Sequence, residues 1–281
     1  MTYQLVVTFV AAGGMIFAQG RVASTRPSDS EVTTQTDAAW RVLRTGLQDG
    51  DADHRKKALA AMGTMGAVPT AVEMAEKALR DKDTLVRQTA AATLGEMGSK
   101  DAIPYLKAAL DDGPEVSFAA AKSLWDLGDE SDSREIFEQV IVGERKERPG
   151  KLQEALREAK HKLKPSELAF MGVKEAAGLL GPAAIGVSAA EEAVKDSKKG
   201  GGVPGRVISA QVLATDQDPY ALTLLEWAVA DDSSAVRVAV LKGLGERGNK
   251  ETIPKLMPLL TDDRHAVRYM AAASIIKLSL K

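Results

Sequence analysis

The tightest constraint in the sequence is a duplication near its end. The stretch "DDSSAVRVAVLKGLGERG", beginning at Asp231, aligns with "TDDRHAVRYMAAASIIKL". Val236 then falls on Val267, Arg237 on Arg268 and Leu244 on Ile275, a period of 31 residues. A unit of that length, read as two helices, is too small to bury its apolar face alone and must stack on copies of itself. The expected fold is therefore all-α: an α-α superhelix, or helical solenoid, of about six or seven helical pairs.

The same register recurs upstream. In "TLVRQTAAATLGEMG" the residues Val86, Thr89, Ala90, Thr93, Leu94 and Met97 stand at offsets 0, 3, 4, 7, 8 and 11, one stripe of an amphipathic helix. The stripe also catches Ala58, Met62 and Met65, and again Val116, Ala119, Ala120, Leu124 and Leu127. Partner helices run between these, carrying Ile103, Leu106 and Leu110 in one unit and Ile253, Leu256 and Leu259 in another. Both open on Ile-Pro, at Pro104 and Pro254, where a missing N–H costs little. Gly98, Gly128 and Gly248 stand where a left-handed residue is expected to end the other helix of each pair. A chain with 4% aromatic residues suits such small-residue helix contacts better than a β-rich core.

The segments from Asp81 to Leu110 and from Asp231 to Leu260 resemble HEAT repeats of the short bacterial type, the PBS-lyase HEAT-like repeats. The resemblance implies that the Val-Arg helices line a concave side and the Ile-Pro helices a convex side. It also implies a ladder of hydrogen bonds between Asp and Arg of successive units. Carried over residue by residue, the ladder joins Asp81 or Asp83 with Arg87, Asp231 or Asp232 with Arg237, and Asp262 or Asp263 with Arg268. The match is looser at Arg55 and broken at Ser117. Arg87, Arg237 and Arg268 are thus expected to be structural.

Outside the repeats the pattern changes. Residues 1–20 carry no charged side chain, and the apolar run from Leu5 to Ala12 is followed by the small residues of Ala18-Gln19-Gly20. This is expected to be a signal peptide, or alternatively a membrane anchor, placing the protein in the periplasm or outside the cell. Residues 21–36 are polar and expected to form a flexible linker, so that the repeat domain occupies 37–281 and opens with a helix carrying Trp40, Leu43 and Leu47. Its middle, 143–205, is irregular and includes the uncharged stretch from Ala176 to Ala190, broken at Gly181-Pro182. The array resumes at Arg206. Trp227 is expected to pack inside a partner helix, and the apolar ending "IIKLSLK" to leave Leu278 and Leu280 partly exposed.

Chemistry is sparse. The chain has no cysteine, which excludes disulfides and thiolate sites, and its net charge of −2 argues against a nucleic-acid partner. Membrane contact is expected only through residues 1–20. His54, His161 and His265 lie far apart in sequence, so neither a metal site nor a cofactor is expected. Deoxyhypusine hydroxylase, built from similar repeats, holds its irons with adjacent His-Glu pairs, and none of these histidines is followed by Glu. The expectation is a protein that is not an enzyme: a scaffolding module binding a protein partner on its concave face. Phe118, Lys122, Trp125, Lys242 and Tyr269 are the candidate contacts, with the aromatic side chains taken to point away from the stacking faces. The alternative is a lyase- or isomerase-like enzyme acting on a bound prosthetic group. Its mark would be a pocket lined by a carboxylate and a basic residue under the segment from Ala176 to Ala190.

Overall fold

Short polar turns and left-handed glycines divide the chain into helices whose lengths the repeat period sets. The computed structural model describes residues 28–141 and 203–281. The N-terminal segment 1–20, most of the irregular middle and His161 lie outside the described residues. The helices are α1 (Asp29–Leu47), α2 (Ala52–Gly63), α3 (Pro69–Ala78), α4 (Thr84–Met97), α5 (Ile103–Ala108), α6 (Pro114–Asp126) and α7 (Glu130–Ile141). After the undescribed stretch come α8 (Val203–Thr215), α9 (Pro219–Trp227), α10 (Ser234–Arg247), α11 (Ile253–Leu256) and α12 (His265–Ser279).

Local signals start and stop these helices as expected. The Asp83 side chain accepts the amides of Leu85 and Val86 at 2.9 and 3.2 Å and caps α4. Gly98, Gly128 and Gly248 adopt φ of 69°, 86° and 82°, conformations that a residue with a Cβ rarely tolerates. Pro104 and Pro254 sit in the first turns of α5 and α11. One boundary differs from the sequence reading. Residues 29–36 are not a linker but the first two turns of α1, fixed by a capping box: the Glu31 carboxylate accepts the Ser28 amide at 2.9 Å, and Ser28 Oγ accepts the Glu31 amide at 3.4 Å. The Ser-x-x-Glu signature of that box is present in the sequence.

The even-numbered helices pack side by side in an inner row, and the odd-numbered ones cover its outer side. Spatial order in the row is not chain order. It runs α8, α10, α12, α2, α4, α6, because the last helix of the chain packs against α1 and α2. The ending read as an exposed edge is therefore internal. Leu278 is fully buried, and only Leu280, at 63% exposure, meets solvent. Among the described residues the row ends with α6 and α7 on one side and with α8 and α9 on the other, and Trp227 on α9 is 83% exposed rather than packed.

Small residues let the inner helices approach closely. A Cβ on Gly95 of α4 would lie 2.7 Å from that of Ser123 on α6, and one on Gly245 of α10 would lie 3.1 Å from that of Ser274 on α12. Ser123 Oγ donates to the Ala91 carbonyl at 2.9 Å, and Ser274 Oγ to the Leu241 carbonyl at 2.8 Å. Each serine is thus small enough for the approach and satisfied within it.

The Asp–Arg ladder runs between units, not within them. Arg87 donates to its own unit's Asp81 carbonyl at 2.9 Å and, through Nε and Nη2, to both oxygens of Asp112 in the next turn at 2.7 and 3.0 Å. Arg237 donates to the Asp231 carbonyl at 2.8 Å and, through Nη2 alone, to Asp262 at 3.0 Å, its Nε being left without a partner. Arg55, expected to match loosely, is a full member. It is 4% exposed and holds Asp81 with two bonds of 2.8 Å. Arg268 makes the carbonyl half alone, to Asp262 at 2.7 Å. These planar two-point contacts tie consecutive turns with little freedom.

Because Asp81 would be left half-buried without its partner, Arg55→Ala is expected to cost about 3–5 kcal/mol, measured by urea unfolding. Gly95→Ala should cost about 1–3 kcal/mol by overpacking in the same measurement, whereas Gly113→Ala, which meets only the far end of Glu115, should be close to neutral.

Candidate functional site

Offsets six and ten of the repeat template line the inner face of the row. They place Lys242 and Glu246 on α10, Ala273 and Lys277 on α12, Ala60 on α2 with Thr64 just past its end, Ala92 and Glu96 on α4, and Lys122 and Asp126 on α6. The outer pairs neutralise themselves along their own helices, at 2.7 Å for Lys122–Asp126 and 3.9 Å for Lys242–Glu246. The centre of the face is different.

Glu96 has no partner of that kind. Its carboxyl folds over Gly63, which presents no side chain, and both oxygens are shut away from solvent without a hydrogen-bond donor. Burial therefore pushes its pKa up to about 7, only partly opposed by Lys242. Lys242 acts on Glu96 although α12 and α2 stand between their helices, so the inner faces converge. On the other side of the α2 terminus, Lys277 donates to the Thr64 carbonyl at 2.8 Å. Burial lowers its pKa; Glu246 opposes that, and Lys281 and Lys242 add to it. An acid raised toward neutrality and a base lowered toward it thus flank one helix end, an arrangement suited to proton transfer.

A second cluster lies at the opposite end of the same helices, where α12 meets the first repeat. His54 and His265 stack with ring centroids 3.5 Å apart. His54 Nδ1 stands 3.1 Å from Asp49 Oδ2 but is out of line for a hydrogen bond. Asp49 is held below the usual carboxylate range by the Asp51 amide and the His54 ring. His265 is lowered by burial and then by Arg268 and His54. The sequence separates these two histidines almost completely, and the fold brings them together. No spacing signal could have shown this, because the contact exists only if the end of the chain returns to its beginning.

The five contacts read from the sequence divide. Lys122 and Lys242 lie on the inner face. The three aromatic residues do not, because offsets two and nine turn along the row, as Gly95 does toward Ser123; on α6, the last described inner helix, that side meets α7 and leaves Trp125 40% exposed. Tyr269 is 4% exposed, packed against Gly46 and Ala58, with its hydroxyl 3.4 Å from His265 Nδ1. Phe118 and Trp125 pack edge-on against Phe137 of α7 at 5.6 and 5.7 Å, and the Arg134 guanidinium lies 5.6 Å from the centre of the Trp125 ring. Glu96 and Lys277 were missed. In the sequence they are ordinary charges on helix faces, and only burial distinguishes them. An open hollow of about 640 Å³ on the turn side is lined by Asp231, Arg237, Lys255 and Asp262, of which Arg237 and Asp262 are paired in the ladder.

HEAT repeats match residues 41–125 and 204–277, more than half of the chain. The chain belongs to the HEAT-repeat family. No curated protein matches it significantly in sequence. Among solved structures, human deoxyhypusine hydroxylase is 20% identical, with 89% of this chain and 98% of that one covered at a TM-score of 0.33. The complex of CpcE and CpcF of phycocyanin lyase from Nostoc sp. PCC7120 is 19% identical, with 94% and 100% covered at 0.31. An engineered protein is 16% identical, with 86% and 96% covered at 0.28. These are likenesses of fold. The expectation of a non-catalytic scaffold gives way to its alternative on Glu96, an inner-face carboxyl whose pKa burial raises to about 7. No described helix of this HEAT-repeat protein is long and apolar enough to cross a membrane.

The Glu96 shift has a fixed sign. Its folded pKa, about 7, lies above its ordinary value of 4.5, so the folded state holds the proton more tightly. The associated stability is complete below pH 4.5 and is lost as pH rises through 7. Glu96→Gln is therefore expected to match the native protein at pH 4.5 and to exceed it by roughly 1–2 kcal/mol at pH 8, allowing for partial solvent screening, in urea unfolding at both pH values.

Proposed function

We propose that this HEAT-repeat protein is an enzyme of the lyase or isomerase class, moving a proton on a ligand bound at the inner face. The observation that supports the reading is Glu96, an inward-facing carboxyl without a protein partner, set one residue along α2 from the lysine bound to Thr64. In the ionised form Glu96 takes a proton from carbon next to a carbonyl or imine and returns it to a second position for isomerisation, or retains it while a leaving group departs. Lys277 and Lys242 supply positive charge for the oxyanion or carboxylate of the ligand. A carboxyl with a pKa near neutrality suits this work better than an exposed one, because it is part ionised and part protonated at working pH.

Repeat architecture favours such a site. Between the charged groups the template positions hold Ala60, Ala92 and Ala273, small side chains that let the helices converge. The carboxylate and the lysine come from helices at opposite ends of the chain, so the site assembles only when α12 docks on α2.

Proton transfer leaves an isotopic trace whatever the substrate. Incubated in heavy water with a small-molecule extract of its own cells, the protein should introduce deuterium at carbon into a small set of compounds, read by mass spectrometry. Glu96→Gln should lower that incorporation at least a hundredfold. Incorporation identical with and without the protein, or unchanged in Glu96→Gln, would refute the reading.

A further inference from the structure

We propose that Asp49, His54 and His265 form a site for one divalent transition-metal ion of the zinc class, seated in the joint between the last helix and the first repeat. The site is separate from the inner face and does not depend on the acid–base reading of Glu96.

Geometry is the first argument. One ligand-type atom from each of the three residues lies within 4.8 Å of the other two. Ligands at about 2.0–2.2 Å from a tetrahedral ion are about 3.3–3.6 Å from one another, so modest side-chain rotations complete the set. The His54 Nδ1 to Asp49 Oδ2 approach of 3.1 Å is already close to that separation. It is not a hydrogen bond, and Nδ1 has no other partner. A buried nitrogen and a carboxylate oxygen facing each other without a shared hydrogen bond are arranged to meet a cation.

Orientation is the second. Asp49 Oδ1 accepts the Asp51 amide at 2.9 Å, leaving Oδ2 for the ion. His265 Nδ1 faces the Tyr269 hydroxyl at 3.4 Å, leaving Nε2. Fixing the far atom of each ligand is how metal sites hold their geometry.

Departure from the repeat is the third. His54 occupies the template position filled by Val86, Val116, Val236 and Val267 elsewhere, a position buried in those four units and only half-buried at His54. Asp49 stands at the turn position of the ladder carboxylates, where Arg268 would be its partner from the preceding unit of the row. Among the described residues no ion pair joins them, and Arg268 is satisfied by the Asp262 carbonyl. At this one joint a histidine pair replaces the arginine rung.

The donor set selects the ion. Two imidazoles and one carboxylate suit zinc, cobalt or nickel, whereas magnesium and calcium take oxygen ligands. His54 and Asp49 keep 26% and 32% side-chain exposure, which leaves a path for entry and a fourth position for water. Arg268 and Lys57 also act on His265, and their positive charge weakens the hold on a cation. The bound ion bolts α12 to α2 and α1 and stabilises the non-sequential joint.

The test uses the full chain, freed of metal with a chelator and titrated with Zn(II) and, separately, Co(II). One ion per chain is expected, with a melting temperature raised by about 5 °C at a hundredfold excess over Kd and a saturable visible Co(II) absorption that Zn(II) abolishes. His54→Asn and His265→Asn should weaken binding at least a hundredfold and lose the thermal shift, while His161→Asn retains both. Should the first two variants fail to fold, the native Co(II) titration decides. Absence of a saturable one-to-one absorption overturns the proposal, as does equal binding by all three variants.

Discussion

Everything in this molecule depends on how closely one inner helix can approach the next. Gly95 against Ser123 and Gly245 against Ser274 bring backbones to a distance that any larger pair would forbid. The serine hydroxyls then have a carbonyl of the neighbouring helix within reach. Close approach also brings the turns into line, and the guanidinium of one unit reaches the carboxylate of the next at 2.7–3.0 Å. Small residues and charged rungs are thus two ends of one device, apolar contact at one end of the helix pair and ionic pairing at the other.

The same device explains how the two ends of the chain can meet within the row. A repeat stack has two open faces, each apolar, and an elongated array must cap both. Here the C-terminal unit and the N-terminal unit cover each other: α12 docks on α1 and α2, and Leu278, Ile275 and Ile276 disappear into the interface. The contact is imperfect as a repeat. Tyr269 stands over Gly46, Lys277 reaches Thr64, and histidines replace the arginine rung. Both clusters with unusual electrostatics border this joint, at opposite ends of α2. Irregularity is where a repeat fold has freedom to place chemistry, since the regular positions are committed to stacking.

Much of the fold was legible in the sequence. The stripe at Val86, Ala90, Leu94 and Met97 is buried throughout, and the left-handed glycines at 98, 128 and 248 fall where helix ends require them. The capping box at Ser28 and Glu31 was equally legible and marks a helix that polarity alone suggested was a linker. The ladder was visible as a set of residues but not as a pattern of pairing. A 31-residue repeat does not say whether an arginine reaches its own turn or the next, and here Arg55, Arg87 and Arg237 span both while Arg268 reaches only its own. The aromatic residues were misplaced for a related reason. A helical wheel shows which side chains share a side but not which neighbour that side faces, so Tyr269 was taken for a free surface residue when it faces the next unit.

By itself the sequence determined the local and the additive: helix type, helix ends, the inward stripe and membership of a stacked array. These follow from periodicity and turn chemistry, which act over a few residues. Tertiary structure decided the order of the stack and everything that depends on it. Glu96 acquires its unusual acidity from burial over Gly63, and Asp49, His54 and His265 meet because α12 packs against the first repeat. The first is a contact between neighbouring repeats, the second one between the two ends of the chain. The free energy of such a contact comes from apolar surface that either end could have offered to another unit, so no periodicity records which unit it chose.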